Sequence, residues 1–341
     1  MIGPVSFVHD QRPVRVVFGA GRIGALADEC DHLELTRVLL IATRYSTAAQ
    51  TLLGDRVVAT VTDPRAHVPV DQVHETLDLV GRSGADGVVA VGGGSSVGLA
   101  KAVALGTGVP ILAVPTTYSG SEMTRVWGRT EGGRKQTGRD LRVAPRTVIY
   151  DPDLVAGLPT VTAAASAINA VAHAAEALYA PDRTALSDLA AAEAIRVVTA
   201  TLARALDPTA LLRGAYLAGV VLDQTTMGLH HKLCHVLGGA FDLPHASTHS
   251  VVLPHVLAYN LGDPAVAERF AAAGAHDLPA VVRRLGSGHG VPTSLRELGL
   301  SASSLDEVMN TVLAVPPVNP RPVRADAVRG VLWGAFSGVH V

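Results

Sequence analysis

Histidines are concentrated in one short stretch of this 341-residue sequence. Six of the fourteen fall between residues 230 and 255, namely His230, His231, His235, His245, His249 and His255. A seventh, His173, follows Asn169 by four residues, the same spacing as His231 and His235. Because residues four apart share one face of a helix, the two pairs predict two helical faces that carry polar side chains. Imidazoles that converge from separate segments are suited to holding a divalent metal or to transferring protons.

Two loops rich in glycine and hydroxyl groups form the second set of candidates. An apolar strand runs into Gly92-Gly93-Gly94-Ser95 and then into a helical segment. Glycines let the backbone approach a pyrophosphate, and the N–H groups of a helix N-terminus favour its charge. The next apolar strand ends at Thr116-Thr117-Tyr118-Ser119. Together the loops predict a nucleotide site, to which the Gly19–Gly21 segment adds either a third side or an ordinary strand-to-helix turn.

Apolar periodicity divides the chain into two halves. The first half alternates helical segments with short apolar strands, predicted at residues 14–18, 37–42, 57–61, 87–91, 111–114 and 147–150. This pattern is typical of a doubly wound α/β domain with a buried, mainly parallel sheet. Long Ala-, Leu- and Val-rich segments of helical period follow at residues 162–178, 186–206, 211–228 and 266–285. We therefore predict a nucleotide-binding α/β domain over residues 1–155 and an all-helical domain with the histidines over residues 156–341.

Composition excludes several classes of protein. A net charge of −2 provides no basic surface for nucleic acid. The sequence has no run of eighteen apolar residues that could span a membrane and no signal-peptide pattern in its first ten residues. The two cysteines, Cys30 and Cys234, are far apart, which favours reduced thiols in the cytoplasm. We expect a soluble, cytoplasmic protein with neither a nucleic-acid nor a membrane partner.

The motifs, taken in order along the chain, resemble those of the iron-containing alcohol dehydrogenase superfamily, whose fold is similar to that of dehydroquinate synthase. The similarity rests on the Gly92–Ser95 loop, the Thr116–Glu122 loop, and the spacing of His173, His231 and His245. Within the superfamily the sequence resembles the maleylacetate reductases. The stretches that carry this second resemblance are residues 116–124, 130–135, 228–239, 243–245, 249–255 and 319–322.

The resemblance implies a set of binding residues and an intracellular homodimer that uses NADH or NADPH. Gly92, Gly93, Gly94 and Ser95 are implied to contact the pyrophosphate; Thr116, Thr117 and Ser119 the nicotinamide side; and Lys135 the nucleotide. Metal-using relatives bind zinc or iron at four positions, which here are Asn169, His173, His231 and His245. Asn169 stands where those relatives carry Asp, as in maleylacetate reductases, and a neutral amide is a weaker ligand. The resemblance thus implies a metal site that is weak or vacant.

The implied reaction is reduction of the conjugated carbon–carbon double bond of maleylacetate to 3-oxoadipate, a step in the degradation of resorcinol, hydroxyquinol and chlorinated aromatics. Hydride attack on the carbon β to the ketone produces an enolate, which must be stabilised and then protonated. We assign enolate stabilisation to His231 and His245, directly or through a metal, and proton donation to His235. Lys232 is the candidate cation for a carboxylate of this dicarboxylate substrate. Arg44 follows the second strand, where an acidic residue is missing, so we expect both NADH and NADPH to serve.

Four alternatives remain open on the residues alone. One is a metal-dependent alcohol or polyol dehydrogenase of the same superfamily, against which Asn169 argues. Another is a related reductase recruited to a biosynthetic pathway. A third is a cyclase like dehydroquinate synthase, which needs a firmly held metal and phosphate-binding Lys or Arg residues that are scarce near the histidines. The last is a non-enzymatic nucleotide-binding module, which would not require the histidines.

Overall fold

The chain divides into two compact units. The computed structural model describes residues 7–9, 12–132 and 134–339. One unit is Arg12–Leu158, and the other contains the chain from Pro159 onward. Residues 1–6 of the N-terminal segment and Gly133 of the 130–135 motif lie outside the described residues.

The first unit is an α/β domain, as the sequence predicts. Its strands are β1 (Arg15–Phe18), β2 (Val38–Ala42), β3 (Val57–Val61), β4 (Gly87–Gly92), β5 (Ile111–Pro115), β6 (Val126–Glu131), β7 (Arg134–Arg139) and β8 (Thr147–Tyr150). Its α-helices are α1 (Leu26–His32), α2 (Ser46–Leu53), α3 (Val70–Ser83), α4 (Gly94–Thr107) and α5 (Pro152–Val155). Six strands form one parallel sheet in the order β1-β8-β5-β4-β2-β3. The predicted boundary at residue 155 lies at the end of α5, three residues before the end of the compact unit at Leu158.

Burial of the central strands explains why their sequences are continuously apolar. Every residue of β2, β4 and β5 is buried, as expected of parallel strands covered on both faces. Leu40, Val89 and Leu112 come from these three strands into one core cluster. Gly92 at the end of β4 pairs with Pro115 at the end of β5. The register therefore starts the two predicted nucleotide loops side by side, at the carboxyl edge of the sheet.

A two-stranded antiparallel hairpin, β6–β7, is absent from the sequence-based prediction. Its strands are polar and only partly buried, so neither a continuous apolar run nor a clean alternation marks them. Gly132 in the connecting turn has φ +54°, a conformation that favours glycine. The hairpin is relevant to cofactor binding because Lys135, which is implied to contact the nucleotide, lies on β7.

The second unit is helical throughout its described residues, which confirms the predicted all-α half. Its helices are α6 (Thr160–Tyr179), α7 (Ala185–Leu202), α8 (Pro208–Gln224), α9 (Leu229–Phe241), α10 (His245–Asn260), α11 (Pro264–Ala272), α12 (Leu278–Gly288), α13 (Leu305–Ala314) and α14 (Ala325–Ser337). The single helix predicted over residues 266–285 is wrong, because the chain turns at Gly274, which has φ +68°, after the end of α11, and α12 begins at Leu278 with Pro279 in its first turn. None of the described helices combines the length and apolar character that a membrane span requires.

Helix α6 is the core of the second unit. It is buried from Ala163 to Tyr179 and packs against α7, α8 and α10. Its many alanines make a helix that is apolar on all sides, which is typical of a central position. Asn169, His173 and Glu176 are polar residues on this otherwise mostly apolar, buried helix. A buried polar group is costly without a partner, so the partners of these three side chains define the site.

Candidate active site

The glycine loop of the first unit forms an open cradle at the N-terminus of α4. Gly93 precedes the helix, and none of the described side chains caps its first turn. A Cβ atom on Gly94 would meet nothing within 4 Å, whereas one on Gly92 would collide with Ser96 Oγ. The N–H of Thr116 donates to the carbonyl of Gly92 at 3.1 Å, which joins the two predicted loops directly. This exposed backbone at a helix N-terminus fits a phosphate group.

A buried carboxyl orients the hydroxyl loop. Glu122 is completely buried and accepts hydrogen bonds from Ser119 Oγ at 3.3 Å and from Tyr150 Oη at 2.8 Å. Burial raises the pKa of the Glu122 carboxyl. Thr116 and Thr117 are half-buried at the start of the same loop. Glu122 thus restrains Ser119, the residue implied to line the nicotinamide side.

Other glycines near the nucleotide loops have structural explanations. A Cβ atom on Gly98 would lie 2.8 Å from Val68 Cγ2, which explains a minimal residue at this position. In the Gly19–Gly21 segment the N–H groups of Gly21 and Ile23 donate to the Asp151 carboxylate at 3.1 and 2.9 Å. Because Asp151 already occupies these donors, the segment is an ordinary strand-to-helix turn rather than a third phosphate-binding side.

Helices α6, α9 and α10 bring most of the predicted histidines together. His173 stacks on His231 with ring centroids 5.0 Å apart, and His235 lies 6.1 Å from His231. His245, the first residue of α10, is 4.3 Å from the ring of His249, which in turn is 5.0 Å from His231. Two residues that the sequence analysis named, His255 and Lys232, do not join this group of rings. His255 faces the backbone of Gly334, and Lys232 follows His231 directly on α9, which turns it away from the face that His231 and His235 share.

Glu176 on α6 is a functional residue that the sequence analysis missed. Its carboxylate accepts four hydrogen bonds: from His231 Nδ1 at 2.6 Å, from the Gly228 and His230 N–H groups at 2.9 Å each, and from Tyr179 Oη at 3.0 Å. Burial alone would raise its pKa, but the hydrogen bond from His231 and the charge interactions outweigh burial and lower the pKa to about 2. Its spacing of three residues from His173 was the only local signal. Glu176 therefore remains ionised and orients the His231 ring.

Five polar atoms of the histidine cluster and Asn169 are buried without a hydrogen-bond partner among the described residues: Asn169 Oδ1, His173 Nδ1, His230 Nδ1, His231 Nε2 and His249 Nε2. Burial and the neighbouring His231 hold the pKa of His173 well below its ordinary value, so the ring is neutral. An imidazole whose other nitrogen donates to a carboxylate is a common arrangement behind a metal ligand. Asn169 Oδ1, His173 Nδ1 and His231 Nε2 could contribute to a divalent cation site. Among the described residues, however, His173, His231 and His245 do not bring their ligand atoms within 4.8 Å of one another, so the four implied ligands do not form a closed site. Binding would be weak, because that ligand set contains neither a carboxylate nor a thiolate.

His230 and His249 form a pair beside this centre that the sequence grouped with the cluster but left without a role. His230 Nε2 and His249 Nδ1 are 2.9 Å apart, so one nitrogen donates and the other accepts. Burial lowers the pKa of His230 to about 3 and that of His249 well below its ordinary value. His249 Nε2 is buried without a partner among the described atoms. With Cys234 these two residues are a group whose potential ligand atoms all lie within 4.8 Å, but the shared hydrogen bond already uses the two facing nitrogens.

Both units of the chain match models of one known protein family. Residues 13–152 match the family described as iron-containing alcohol dehydrogenase. Residues 163–336 match the C-terminal region of the Fe-containing alcohol dehydrogenase family. The chain belongs to the iron-containing alcohol dehydrogenase family. It is therefore an oxidoreductase, as the sequence predicts.

Several relatives within the iron-containing alcohol dehydrogenase family are maleylacetate reductases. The enzyme of that name from Burkholderia cepacia is 46% identical over 98% of this chain and 99% of its own. The crystal structures of maleylacetate reductases from Agrobacterium tumefaciens and Rhizobium sp. strain MTP-10005 have TM-scores of 0.90 and 0.89. Each is 39% identical and covers 98% of this chain and 99% of the solved chain. The predicted resemblance to maleylacetate reductases is confirmed.

The open space at Gly94 leads to a prediction for cofactor binding. Gly94→Val should weaken NADH binding by about 1.5–3 kcal/mol, at least tenfold in KM, because it displaces charge-assisted hydrogen bonds without a clash inside the protein. Gly81→Val is the matched control, since Gly81 on α3 also faces open space. Fluorescence titration with NADH and thermal unfolding measure both variants. Equal affinity for NADH in the two variants would contradict a phosphate site at Gly94.

Glu176 should dominate the acid stability of the second unit. Glu176→Gln should lower the free energy of unfolding at pH 7 by about 3–5 kcal/mol, because it breaks a buried charged network. Glu193→Gln, which changes an exposed surface ion pair, should cost at most about 1 kcal/mol.

The contribution of Glu176 to the free energy of unfolding depends on pH. Since the native pKa of Glu176 is about 2 against an ordinary 4.5, its stabilisation is complete above pH 4.5 and is lost as the pH falls toward 2. Buried neutral histidines such as His230 add a loss between pH 6.5 and about 3 in every variant. Urea unfolding of wild type and Glu176→Gln should therefore converge below pH 4.5. An unchanged gap between the two down to pH 2.5 would refute this account of the carboxylate.

Proposed function

We propose that this protein reduces the conjugated carbon–carbon double bond of maleylacetate with NADH or NADPH and releases 3-oxoadipate. The observation that carries the proposal is the set of neutral, buried polar atoms around His231, backed by a single ionised carboxylate, in a chain 46% identical to a maleylacetate reductase. Residues 1–155 are assigned to the cofactor and residues 156–341 to the substrate. The glycine cradle supports the first assignment and the histidine cluster supports the second.

Hydride transfer to the carbon β to the ketone places negative charge on the enolate oxygen. Neutral buried imidazoles each present one N–H, and His173 Nδ1, His230 Nδ1 and His249 Nε2 are buried ring atoms whose hydrogen-bonding capacity is unused among the described residues. His231 differs from them because its Nδ1 proton is committed to Glu176. If Nε2 also gains a proton, the adjacent carboxylate stabilises the imidazolium, as an Asp does in a hydrolytic triad. The Glu176–His231 pair thus supports the developing enolate, together with His245.

Protonation of the α carbon is assigned to His235. It lies one helical turn after His231 on α9, with ring centroids 6.1 Å apart, and is partly exposed. A half-exposed imidazole can exchange protons with water between turnovers, which a fully buried ring cannot do readily. Lys232 is assigned from the sequence to a substrate carboxylate; it lies on a different side of α9 from His231 and His235, so this role stays a prediction.

A divalent metal, when bound by Asn169, His173, His231 and His245, would polarise the substrate carbonyl. In this proposal, enolate stabilisation does not depend on the metal, because the chain itself supplies the hydrogen-bond donors and the Glu176–His231 pair. The nicotinamide nucleotide is proposed to be NADH or NADPH. Arg44 is exposed and donates to the Gly157 carbonyl at 3.3 Å, and it is the proposed cation for the 2′-phosphate of NADPH.

The protein is further proposed to act in the cytoplasm as a homodimer. Both cysteines are buried and neither is in a disulfide, which is consistent with a reducing compartment. Leu186 and Leu189 on α7 are large apolar side chains exposed by 54% and 70%, and they offer a surface for association. Light scattering of the purified protein measures the assembly directly.

The first functional prediction is steady oxidation of NADH or NADPH with maleylacetate and formation of 3-oxoadipate in equal amounts. Absorbance at the reduced nicotinamide band measures the rate, and chromatography identifies the product. A panel of simple aldehydes and ketones serves as the control set. Turnover of those compounds with none of maleylacetate would instead identify an alcohol dehydrogenase.

The second functional prediction concerns the metal. Substantial activity should survive exhaustive chelation, because the donor set at Asn169 is neutral and the chain supplies its own enolate stabilisation. Asn169→Asp should raise metal affinity, measured with zinc by a competing chromophoric chelator, while His255→Gln is a control on the same chain away from the proposed ligands. Loss of all turnover on chelation, with recovery after one equivalent of zinc or iron, would show that the reaction depends on the metal.

A further inference from the structure

The motif Asn319-Pro-Arg-Pro322 is the one family stretch that the proposed function does not explain. It is attached to the end of α10 by several contacts. Arg321 Nη1 donates to the Tyr259 carbonyl at 2.6 Å, and its guanidinium lies 4.3 Å from the Tyr259 ring. Tyr259 Oη donates to the Pro322 carbonyl at 2.6 Å. The segment is therefore held in one position against the end of α10.

Asn319 forms a reciprocal amide pair with Asn260, the last residue of α10. Asn319 Nδ2 donates to Asn260 Oδ1 at 2.8 Å, and Asn260 Nδ2 donates back to Asn319 Oδ1 at 3.1 Å. The other Asn319 amide proton goes to the Arg321 carbonyl at 2.9 Å. Asn260 is completely buried. Both amide orientations are thus determined by their partners.

The amide pair continues into the active site. The Asn260 side chain also lies next to the Tyr179 hydroxyl and opposes the rise in the pKa of Tyr179. The Tyr179 hydroxyl donates its one proton to Glu176 Oε1 at 3.0 Å. Glu176 Oε2 in turn accepts from His231 Nδ1 at 2.6 Å. A series of side-chain contacts therefore links the C-terminal motif to the His231 ring.

A close approach at Gly228, just before α9, reinforces this link. A Cβ atom there would lie 3.1 Å from Glu176 Oε1 and 3.4 Å from Asn319 Oδ1. Asn319 consequently lies beside the N-terminus of the helix that carries His231. Asn319 and Glu176 therefore both pack against the residue that precedes the helix with the His231 ring.

We infer that Asn319 and Asn260 are positioning residues for His231. They hold the Tyr179 hydroxyl against Glu176, and Glu176 then fixes the tautomer and the rotation of the His231 imidazole. This role rests on the proposed function, in which His231 supports the enolate. It differs from simple anchoring of the loop, for which Arg321 alone would serve.

The kinetic test uses Asn319→Ala, Tyr179→Phe and the double variant. Each single change should lower kcat about tenfold, the usual cost of losing a partner behind an active-site histidine, with KM for NADH within a factor of two. In the double variant the second change should add little, because both break one chain. Asn310→Ala, an exposed asparagine on α13, should leave kcat unchanged, and Arg321→Ala should lower the melting temperature with kcat retained. Additive losses, or an equal loss of kcat in Arg321→Ala, would overturn the inference.

A spectroscopic test separates this inference from the proposed reaction. The proton between His231 Nδ1 and Glu176 should give a downfield imidazole N–H resonance, identified by its absence in Glu176→Gln. Asn319→Ala should shift or broaden that resonance, while Asn310→Ala should not. If the shift occurs but maleylacetate is not reduced, the positioning role stands and the proposed substrate fails. An unaltered resonance in Asn319→Ala would overturn the positioning role whatever the substrate is.

Discussion

The Glu176 carboxylate is the interaction on which the architecture of the second unit depends. A charge inside an alanine-rich core is tolerable only when its lone pairs are satisfied, and here four donors satisfy them. Two of the donors are backbone N–H groups at the start of α9, where a negative charge is also favoured by the helix dipole. One side chain thus fixes where α9 begins relative to α6 and which way the His231 ring points.

The same burial determines the electrostatic character of the histidine cluster. Desolvation and mutual repulsion lower the pKa of His173, His230 and His249, so these rings are neutral at physiological pH. With Asn169 in place of a carboxylate, Glu176 is the charged group closest to the rings through its bond to His231. A developing enolate would therefore meet oriented polar groups and one histidine whose ring is held by a carboxylate, which is the kind of preorganisation that enol chemistry requires.

Each unit uses a buried carboxyl to orient a motif residue, with opposite effects on acidity. Glu122 accepts from the hydroxyls of Ser119 and Tyr150, and burial prevails, so its pKa is raised. Glu176 accepts from an imidazole, two backbone N–H groups and a hydroxyl, and its pKa falls to about 2. The number and kind of donors decide which effect prevails. One carboxyl therefore restrains a cofactor loop, while the other keeps a charge behind a reacting histidine.

The sequence by itself determined the elements whose periodicity comes from burial. The apolar strands β2, β4 and β5 were predictable because both faces are covered, and the pairs Asn169/His173 and His231/His235 were predictable because helical spacing is local. The break at Gly274 and the polar β6–β7 hairpin were not predicted, since a single positive-φ glycine and partly buried strands leave no periodic signal.

Only the tertiary structure decided the partners of Glu176 and Asn319. Glu176 contacts groups 52 to 55 residues away along the chain, and Asn319 pairs with an amide 59 residues before it. No local pattern encodes contacts at such separations, because they arise where α6, α9, α10 and the C-terminal motif pack together. Residue types revealed which chemistry is available, whereas packing decided which nitrogen of His231 is held and which is left for the reaction.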